Sequence, residues 1–527
     1  MLLQEADEHR LASCLIKTSR EKICVPICVQ HANELVAGIR SAAAVADIVE
    51  LRLDCLADNE LEAAIKSLPG ILNSAVTMTI LTMRPAEQGG QSSADHRTRQ
   101  RFWNSLDQIH RSSLLDLELD LVIDFAASGP SEGLDWGLVI CSQHDFAGTS
   151  VDLEEIYERM AATPARILKI AVQAHDATDC LQVFHLLERA QSEDREMIAI
   201  AMGPAGIMTR ILGPSRGSFL TYGSLANESA TAPGQLTAEE LRDVYRIDQI
   251  DQQTEIVGII GQPVGHSLSP HIHNAAFAAS QLNAVYIPFE VRDADQFLRR
   301  MAHPRSRELD WNLRGLSVTA PHKSAVMNHL DWIDPVAKEI GAVNTILIKE
   351  DSLHGYNTDA SGFISPLRGK FGSLTDARCA VIGAGGGARA SLWALRNEGA
   401  HVVLFGRDPD KAGPVAEEFG VEYRPLRAAR FDTFDLVINA TPLGARGGCE
   451  GDTPATADQL RGVRLAYDLV YNPLETRFLR EARTAGCEVL GGIEMLVAQA
   501  FEQFKLWTGS EPNMEVMKAA ALRALGV

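Results

Sequence analysis

The sequence predicts an α/β protein in two halves: a (β/α)8 barrel, followed by two further α/β domains of which one is Rossmann-like. Eight short apolar runs alternate with helical patterns across the first half, which is the order of elements in such a barrel. In the second half a glycine-rich turn stands between an apolar strand and a helix, as in nucleotide-binding α/β domains. At 527 residues, the chain is also longer than a single hydrophobic core supports.

Composition and charge narrow the range of possible functions. The formal net charge of −20 disfavours a surface for nucleic acid or for anionic membranes, because such surfaces concentrate Lys and Arg. No apolar run has the length of a membrane span, and the leader with Glu5, Asp7 and Glu8 lacks the apolar core of a signal peptide. We therefore predict a cytoplasmic protein that binds neither nucleic acid nor membranes.

The nine cysteines are scattered and odd in number, which predicts reduced thiols rather than a disulfide framework. Cys24 and Cys28 are the closest pair, and we expect both to line a buried strand. His271 and His273 lack a third ligand at suitable spacing, so no metal site is predicted.

The apolar runs of the first half predict one strand each. They lie at 23–29, 48–53, 78–84, 114–119, 138–146, 166–172, 197–202 and 219–222. An open doubly wound sheet is the alternative arrangement. The barrel is favoured because ionisable residues stand in or at the ends of separate strands, where a barrel builds its site. Any one of them could be a mere ion-paired residue, but together they indicate a site: Arg52, Arg84, His144, Lys169 and Arg210.

Lys169 lies in the apolar segment RILKIAV, where desolvation favours the neutral amine. A neutral amine can form a Schiff base with a ketone, and the iminium then draws electrons from the adjacent carbon, so that a base can remove a proton there. His144, in the segment QHDF, is the candidate base, and a histidine that only caps a strand is the alternative.

Seven segments of this half, in this order, resemble the type I 3-dehydroquinate dehydratases. They are ELRLD at 50–54, TMRP at 82–85, LDLEL at 115–119, QHDF at 143–146, KIAV at 169–172, MGPAGIMTR at 202–210 and TAPGQ at 231–235. The resemblance implies Lys169 as the Schiff-base lysine and His144 as general acid/base. It implies substrate binding by Glu50, Arg52, Arg84, Arg210, Thr231 and Gln235. Gln88 stands where this family usually has glutamate, and Thr231 where it usually has serine.

The segment 231–270 joins the halves. We predict a helix at 236–247, with Thr237 as N-cap and Glu240 completing a capping box, and a strand at 255–261. The predicted domains are 1–246 for the barrel, 254–360 with C-terminal helices at about 495–527 for a substrate-binding domain, and 361–494 for a nucleotide-binding domain.

Polar residues near the start of the second half predict another site. Ser267 and Ser269 stand at a predicted helix N-terminus, with Ser269 as N-cap and Pro270 after it, and could hold an anion there. Capping alone would explain Ser269. Lys323 and Asp359 follow predicted strands, and together an ammonium and a carboxylate form an acid/base pair for a carbonyl group. The alternative is that Lys323 and Asp359 are only residues of surface loops.

The segment RCAVIGAGGGARA at 378–390 is predicted as strand, turn and helix, with Gly383, Gly385 and Ala388 in the fingerprint positions. Arg407 follows the next strand, where a protein that binds NAD usually has an acid for the ribose. A guanidinium suits a 2′-phosphate, so the predicted cofactor is NADP (NADPH), although Asp408 beside it weakens this choice.

Segments throughout the second half resemble shikimate dehydrogenase, a two-domain α/β dehydrogenase with a Rossmann-like nucleotide domain. They are HSLSP, VTAPHK, GAVNT, YNTD, GAGGGAR, NATPLG, YNPLET and MLVAQAFEQFKLWTG. The resemblance implies a catalytic pair of Lys323 and Asp359, and substrate binding by Ser267, Ser269, Thr319, Asn344 and Gln499. Along the nucleotide it implies Gly383, Gly385, Gly386, Ala388, Arg389, Arg407, Thr441 and Gly492. Departures from residues common in the family are Ser317, Ala360 and Glu494.

Together, the two resemblances imply an enzyme of aromatic biosynthesis through the shikimate pathway. It would dehydrate 3-dehydroquinate to 3-dehydroshikimate and reduce this ketone to shikimate with NADPH. The alternatives are a quinate or shikimate dehydrogenase that uses NAD, with an impaired dehydratase, and a ligand-sensing regulator built from the same domains.

Overall fold

The structure, a computed structural model, describes residues 22–75, 77–106, 113–128, 134–146, 152–226 and 231–527. The chain divides into two compact units. The first runs to Thr254 and includes Phe289–Val291, and the second comprises Glu255–Pro288 and Arg292–Val527. The leader residues Glu5, Asp7 and Glu8 and one of the nine cysteines, Cys14, lie outside the described residues.

Parallel strands form a barrel in the first unit, in the order β7-β6-β5-β4-β3-β2-β1-β8. They are β1 (Ile23–Ile27), β2 (Ile48–Arg52), β3 (Met78–Thr82), β4 (Ser113–Glu118), β5 (Val139–Asp145), β6 (Ile167–Gln173), β7 (Glu196–Met202) and β8 (Thr221–Tyr222). A bridge between Met197 of β7 and Ser218, just before β8, brings the two ends of the sheet together. The predicted barrel and its strands are confirmed, with shifts of a few residues at the ends.

Helices connect the strands, because consecutive parallel strands require a crossover. They are α1 (Leu35–Ala43), α2 (Leu61–Ser74), α3 (His96–Ser105), α4 (Leu119–Ala127), α5 (Leu153–Ala161), α6 (Cys180–Ser192) and α7 (Ile207–Leu212). Each buries an apolar face, as Leu35, Ile39 and Ala42 do in α1.

The barrel interior has an apolar layer below a polar one. The apolar layer is made of alternate residues of successive strands, among them Cys24, Ile48, Ile80, Leu114, Ile140, Ile167 and Ile198. Side chains two positions further along a strand share its face. The polar layer, nearer the C-terminal strand ends, consists of Glu50, Thr82, Asp116, Ser142 and Lys169, all buried.

A mixed sheet of order β10-β9-β11-β13-β14-β12 begins the second unit. Its strands are β9 (Glu255–Gly261), β10 (Ala284–Glu290), β11 (Leu313–Val318), β12 (Trp332–Ile333), β13 (Thr345–Lys349) and β14 (Ser352–Tyr356). Its helices are α8 (Ser269–Ala279), α9 (Ala294–Phe297), α10 (Pro335–Ile340) and, after the next domain, α16 (Gly492–Thr508) and α17 (Met514–Ala524). One apolar core joins the sheet to the C-terminal helices, with Val257, Ile272, Ala500 and Met517 among its members.

The rest of the second unit is a parallel sheet of order β17-β16-β15-β18-β19-β20, the Rossmann arrangement. Its strands are β15 (Arg378–Ile382), β16 (His401–Gly406), β17 (Glu422–Pro425), β18 (Leu436–Asn439), β19 (Leu465–Asp468) and β20 (Glu488–Leu490). Its helices are α11 (Asp359–Phe371), α12 (Gly386–Asn397), α13 (Pro409–Phe419), α14 (Ala457–Leu460) and α15 (Arg477–Thr484). The predicted fold class is therefore confirmed for both halves.

The structure corrects the prediction of reduced thiols. Cys28 and Cys55 are joined by a disulfide, with Cα atoms 5.3 Å apart. Cys28 is exposed rather than within a buried strand, because β1 ends at Ile27. These cysteines lie 27 positions apart in the sequence, and the pairing of β1 with β2 brings them together.

Two predicted helix starts also differ. Leu268, not Ser269, is the N-cap of α8, and Ser269 is its first helical residue. In the joining segment the capping box of Thr237 and Glu240 is present, but the helix is a short π-helix, Glu240–Val244. None of the helices in the described ranges has the length and apolar character needed to span a membrane.

Candidate active sites

One cavity at the C-terminal end of the barrel contains every site residue predicted for the first half. Its lining includes Glu50, Arg52, Arg84, His144, Lys169, Arg210, Thr231 and Gln235. They come from six strands or the loops after them, so the fold assembles residues up to 185 positions apart, from Glu50 to Gln235.

Lys169 is buried, but its immediate partners are polar. Its Nζ lies 2.7 Å from Asp116 Oδ2, 2.8 Å from Tyr222 Oη and 3.6 Å from Glu50 Oε1. Burial alone would raise the pKa of Asp116, but the charges of Arg84 and Lys169 outweigh it and hold this pKa well below its usual range. The apolar neighbours in the sequence lie on the other face of the strand, so the amine is ion-paired rather than simply desolvated.

The two buried arginines of this cavity differ in their partners. Arg84 Nη2 lies 2.7 Å from Asp116 Oδ1, and its Nη1 donates to Ser142 Oγ at 2.7 Å. Arg210 is 1% exposed, and its Nε and Nη2 have no hydrogen-bond partner among the described residues. Burial lowers the pKa of Arg210 to about 10. Arg210 is therefore the guanidinium that is available for an anionic ligand.

His144 is held as a neutral imidazole. Burial, with the charges of Arg84 and Lys169 adding to it, lowers its pKa well below the usual value. Its backbone N–H donates to Gln88 Oε1 at 3.1 Å, so the unusual glutamine holds the strand end that carries the histidine. A neutral imidazole can accept a proton, which is the role predicted for His144.

The remaining predicted residues of the first half are fixed by local hydrogen bonds. Arg52 makes a bidentate pair with Asp54, with distances of 2.9 and 2.7 Å. The N–H of Thr231 donates to Gln235 Oε1 at 2.8 Å, which closes the loop that covers the cavity.

Sequence reasoning missed Asp116, Glu118 and Tyr222 as site residues. Alternation along β4 already places Asp116 and Glu118 on one face with Leu114, and this signal could have identified them. Burial raises the pKa of Glu118 to about 7 despite the nearby Arg84. Tyr222 carries no signal, because β8 has only two residues in the ladder.

A second cavity, of about 470 Å³, lies in the second unit. Its lining contains all the residues predicted to bind or convert the substrate of the second half: Ser267, Ser269, Thr319, Lys323, Asn344, Asp359 and Gln499. Thr441 and Gly492, predicted for the nucleotide, also line it.

Lys323 and Asp359 form the predicted pair, with Nζ 2.5 Å from Oδ2. Asn344 Nδ2 donates to the other carboxylate oxygen at 2.9 Å, so both oxygens of Asp359 are held. Asp359 is also the first residue of α11, where a carboxylate is stabilised by the helix dipole. This arrangement holds the Lys323 side chain in the lining of the cavity.

Ser317, one of the departures noted in the sequence, belongs to a buried network. Its Oγ accepts a hydrogen bond from Tyr286 Oη at 2.7 Å and donates one to Gln503 Oε1 at 2.9 Å. Gln503 Nε2 in turn donates to the carbonyl of Asn344 at 3.2 Å. Gln503, which sequence reasoning missed, thereby supports the turn that carries Asn344.

The glycine turn adjoins Lys323, the lysine predicted to be catalytic. A Cβ on Gly386 would lie 3.0 Å from Lys323 Cδ, and a Cβ on Gly383, with φ of +118°, would meet the Ala440 carbonyl oxygen at 2.8 Å. Gly385 is the N-cap of α12, and Ala388 is buried within it. A Cβ on Gly385 would meet nothing within 4 Å, so the backbone is open at this position of the turn.

The two arginines predicted to bind the nucleotide, Arg389 and Arg407, differ from each other in their surroundings. Arg389 Nε donates to the Ile340 carbonyl at 2.7 Å, and its Nη2 pairs with Glu418. Arg407 is exposed just after β16. The carboxylate of Asp408 accepts from the N–H of Asp410 at 3.1 Å as the N-cap of α13, so it does not compete with Arg407.

Glu494, another departure noted in the sequence, lies outside the cavity lining. It pairs with Lys518 at 2.7 Å, so this departure leaves the site open.

Asp468 is buried and accepts hydrogen bonds from Asn439 Nδ2 at 2.9 Å and from Thr476 Oγ1 at 2.5 Å. Asn439 Oδ1 in turn accepts one from Thr441 Oγ1. Asp468 therefore anchors the loops on which Thr441 lies.

Known proteins resemble the chain throughout both halves. Residues 23–252 match the family model of the type I 3-dehydroquinases. The later matches are to the shikimate dehydrogenase substrate binding domain at 259–346, the shikimate/quinate 5-dehydrogenases at 367–444, and the shikimate 5′-dehydrogenase C-terminal domain at 492–522.

Curated relatives agree with these matches. The chain is 35% identical over 526 residues to the chloroplastic bifunctional 3-dehydroquinate dehydratase/shikimate dehydrogenase of Arabidopsis thaliana, covering 95% of this chain and 84% of that protein. Its second half is 42% identical over 289 residues to the shikimate dehydrogenase (NADP(+)) of Moorella thermoacetica, covering 53% of this chain and 96% of that protein. With both halves matched in order, the chain belongs to the family of bifunctional 3-dehydroquinate dehydratase/shikimate dehydrogenases, which joins a lyase to an NADP-dependent oxidoreductase.

Proposed function

We propose that Lys169 forms a Schiff base with 3-dehydroquinate, and that Lys323 protonates the ketone oxygen of 3-dehydroshikimate as NADPH reduces it to shikimate. The observation that carries the first proposal is a buried lysine in a polar barrel layer, beside a neutral histidine and an unpaired arginine. We assign the substrate-binding domain of the reductase to 254–360 with about 495–527, and the nucleotide domain to 361–494.

In the barrel, the Lys169 amine adds to the ketone carbon, and loss of water gives the iminium. The iminium acidifies the adjacent carbon, and the neutral imidazole of His144 accepts a proton from it. The hydroxyl one carbon further leaves as water, and hydrolysis of the imine restores Lys169. The unpaired guanidinium of Arg210 binds the substrate carboxylate, with Gln235 and Thr231 closing over it.

In the second unit, NADPH supplies a hydride to the ketone carbon when it is bound. Lys323 donates the proton that the resulting alkoxide oxygen requires, and Asp359, held by Asn344, keeps the ammonium aimed at this oxygen. Ser267 and Ser269 hold the substrate carboxylate beside the N-terminus of α8. Exposed Arg407 fits the 2′-phosphate of NADP, because Asp408 is turned into the cap of α13.

The direct test is an absorbance assay with 3-dehydroquinate, with and without NADPH. We expect formation of the enone product without NADPH, and consumption of NADPH when it is added. Borohydride should trap the substrate on Lys169, and Lys169→Ala should abolish both the adduct and the dehydration while the reduction of 3-dehydroshikimate is kept. Unchanged dehydration by Lys169→Ala would refute the Schiff-base role.

A cytoplasmic location is kept as a proposal, motivated by the six cysteines that are free thiols among the described residues. The Arabidopsis relative is described as chloroplastic. Subcellular fractionation of the source cells with an antibody to this chain distinguishes the two locations, and recovery with an organelle would overturn the proposal.

A further inference from the structure

Tyr222 is a buried phenol that contacts the reacting nitrogen of the barrel. Its Oη lies 2.8 Å from Lys169 Nζ, and the same ammonium lies 4.4 Å from the centre of the Tyr222 ring. The side chain lines the cavity that also holds His144 and Arg210. The roles proposed above for these residues leave the Tyr222 hydroxyl unused.

Three oxygens surround Lys169 Nζ: those of Asp116 at 2.7 Å, Tyr222 at 2.8 Å and Glu50 at 3.6 Å. An ammonium has three N–H donors, so this arrangement suits the protonated lysine. A neutral amine has one donor fewer and a lone pair in its place. A carboxylate oxygen that faces this lone pair is repelled, whereas a hydroxyl can reverse and donate its proton to it.

Of these three oxygens, that of Tyr222 is therefore the only one that can accept a hydrogen bond from the ammonium and also donate one to the neutral amine. Burial and the nearby Glu50 raise the pKa of the Tyr222 phenol well above its usual value, so it keeps its proton and is a donor throughout the working pH range. Carboxylates such as Asp116, whose pKa is held low, have no proton to donate.

We propose that Tyr222 is a catalytic residue of the dehydration, which hydrogen-bonds to Lys169 as amine and then to the carbinolamine oxygen while that oxygen leaves. This inference rests on the proposed Schiff-base function of Lys169. The C–N bond forms as the carbonyl π pair moves to oxygen, and the C–O bond then breaks. Two of the three ammonium protons depart in the water formed, and the third stays on the iminium nitrogen, so the phenol ends the step unchanged.

The test is Tyr222→Phe, which keeps the ring and the cation–π contact and removes only Oη. The rate at which borohydride-trapped adduct forms with 3-dehydroquinate in a single turnover should fall about 10- to 100-fold, the loss of one hydrogen bond to a charged group. The final amount of adduct should be that of the wild type. Reduction of 3-dehydroshikimate by the same preparation should be unchanged.

Tyr157→Phe is the matched control. Tyr157 lies in α5, and its hydroxyl donates to Glu193 at 2.7 Å, away from the barrel cavity. This variant should form adduct at the wild-type rate. Formation at the wild-type rate by Tyr222→Phe, or a smaller amount of adduct at an unchanged rate, would overturn the role of Tyr222. Absence of adduct in the wild type would instead overturn the Schiff-base function.

Discussion

Replacement of Arg210 by methionine should stabilise the barrel unit while it impairs substrate binding. Burial lowers the pKa of Arg210 to about 10, below the ordinary value of about 12.5. The difference corresponds to about 3 kcal/mol against the charged form, and it is present at every pH below 10 because the guanidinium is charged in both the folded and the unfolded chain. Methionine fills a similar length without charge, so the free energy of unfolding should rise by up to about 3 kcal/mol.

The same substitution removes the proposed partner of the substrate carboxylate. Truncating one side of a buried charge pair costs about 2 to 5 kcal/mol, so kcat/KM for 3-dehydroquinate should fall about 30-fold or more. Calorimetry of the full chain measures stability. The unfolding transition of the barrel unit is identified as the one after which the protein still reduces 3-dehydroshikimate. Enone absorbance measures dehydration.

Arg84→Met is the matched control with the opposite sign in stability. Arg84 is also buried, but it pairs with Asp116 and Glu118, and these carboxylates raise its pKa against the effect of burial. Its removal takes one cation away from two buried carboxylates, so the barrel unit should lose about 3 to 5 kcal/mol. Equal destabilisation by the two substitutions would refute the argument that Arg210 is unpaired.

Further predictions concern the strand end of the barrel and the nucleotide domain. Gln88→Glu keeps the oxygen that accepts from the His144 N–H, so it should retain more dehydratase turnover than Gln88→Ala; the reverse order contradicts this role. Arg407→Ala should raise KM for NADPH at least tenfold more than KM for NADH, a difference of about 1.4 kcal/mol, and equal losses oppose the 2′-phosphate role. Burial raises the pKa of Asp468 to about 6, so its contribution favours the folded state most below its unfolded pKa and falls by about 3 kcal/mol as the pH rises through 6. Asp468→Asn should flatten this pH dependence in denaturant unfolding, and an unchanged slope would show that another group is responsible.

Local sequence was enough to predict the secondary-structure elements and to locate the motifs. Alternation along short apolar runs gave strand positions and interior faces, because side chains of a strand alternate between its two sides. The glycine fingerprint located the turn between β15 and α12, since only glycine tolerates the φ of +118° at position 383. Ser269 was misjudged by one residue, because a cap depends on backbone angles that sequence does not show.

Contacts between strands that are distant in the sequence could not be predicted from local sequence. The partners of Lys169 come from β2, β4 and β8, and only closure of the barrel brings them within reach of one nitrogen. The Cys28–Cys55 disulfide likewise depends on the pairing of β1 with β2.

The sequence by itself determined the fold class of both halves and their order in the chain. The tertiary structure decided the state in which these groups are held. Lys169 is held by ion pairs rather than surrounded by apolar groups, and Arg210, unlike Arg84, has no carboxylate partner among the described residues. The physical reason is that electrostatic interactions act through distance in space, which chain order alone does not specify.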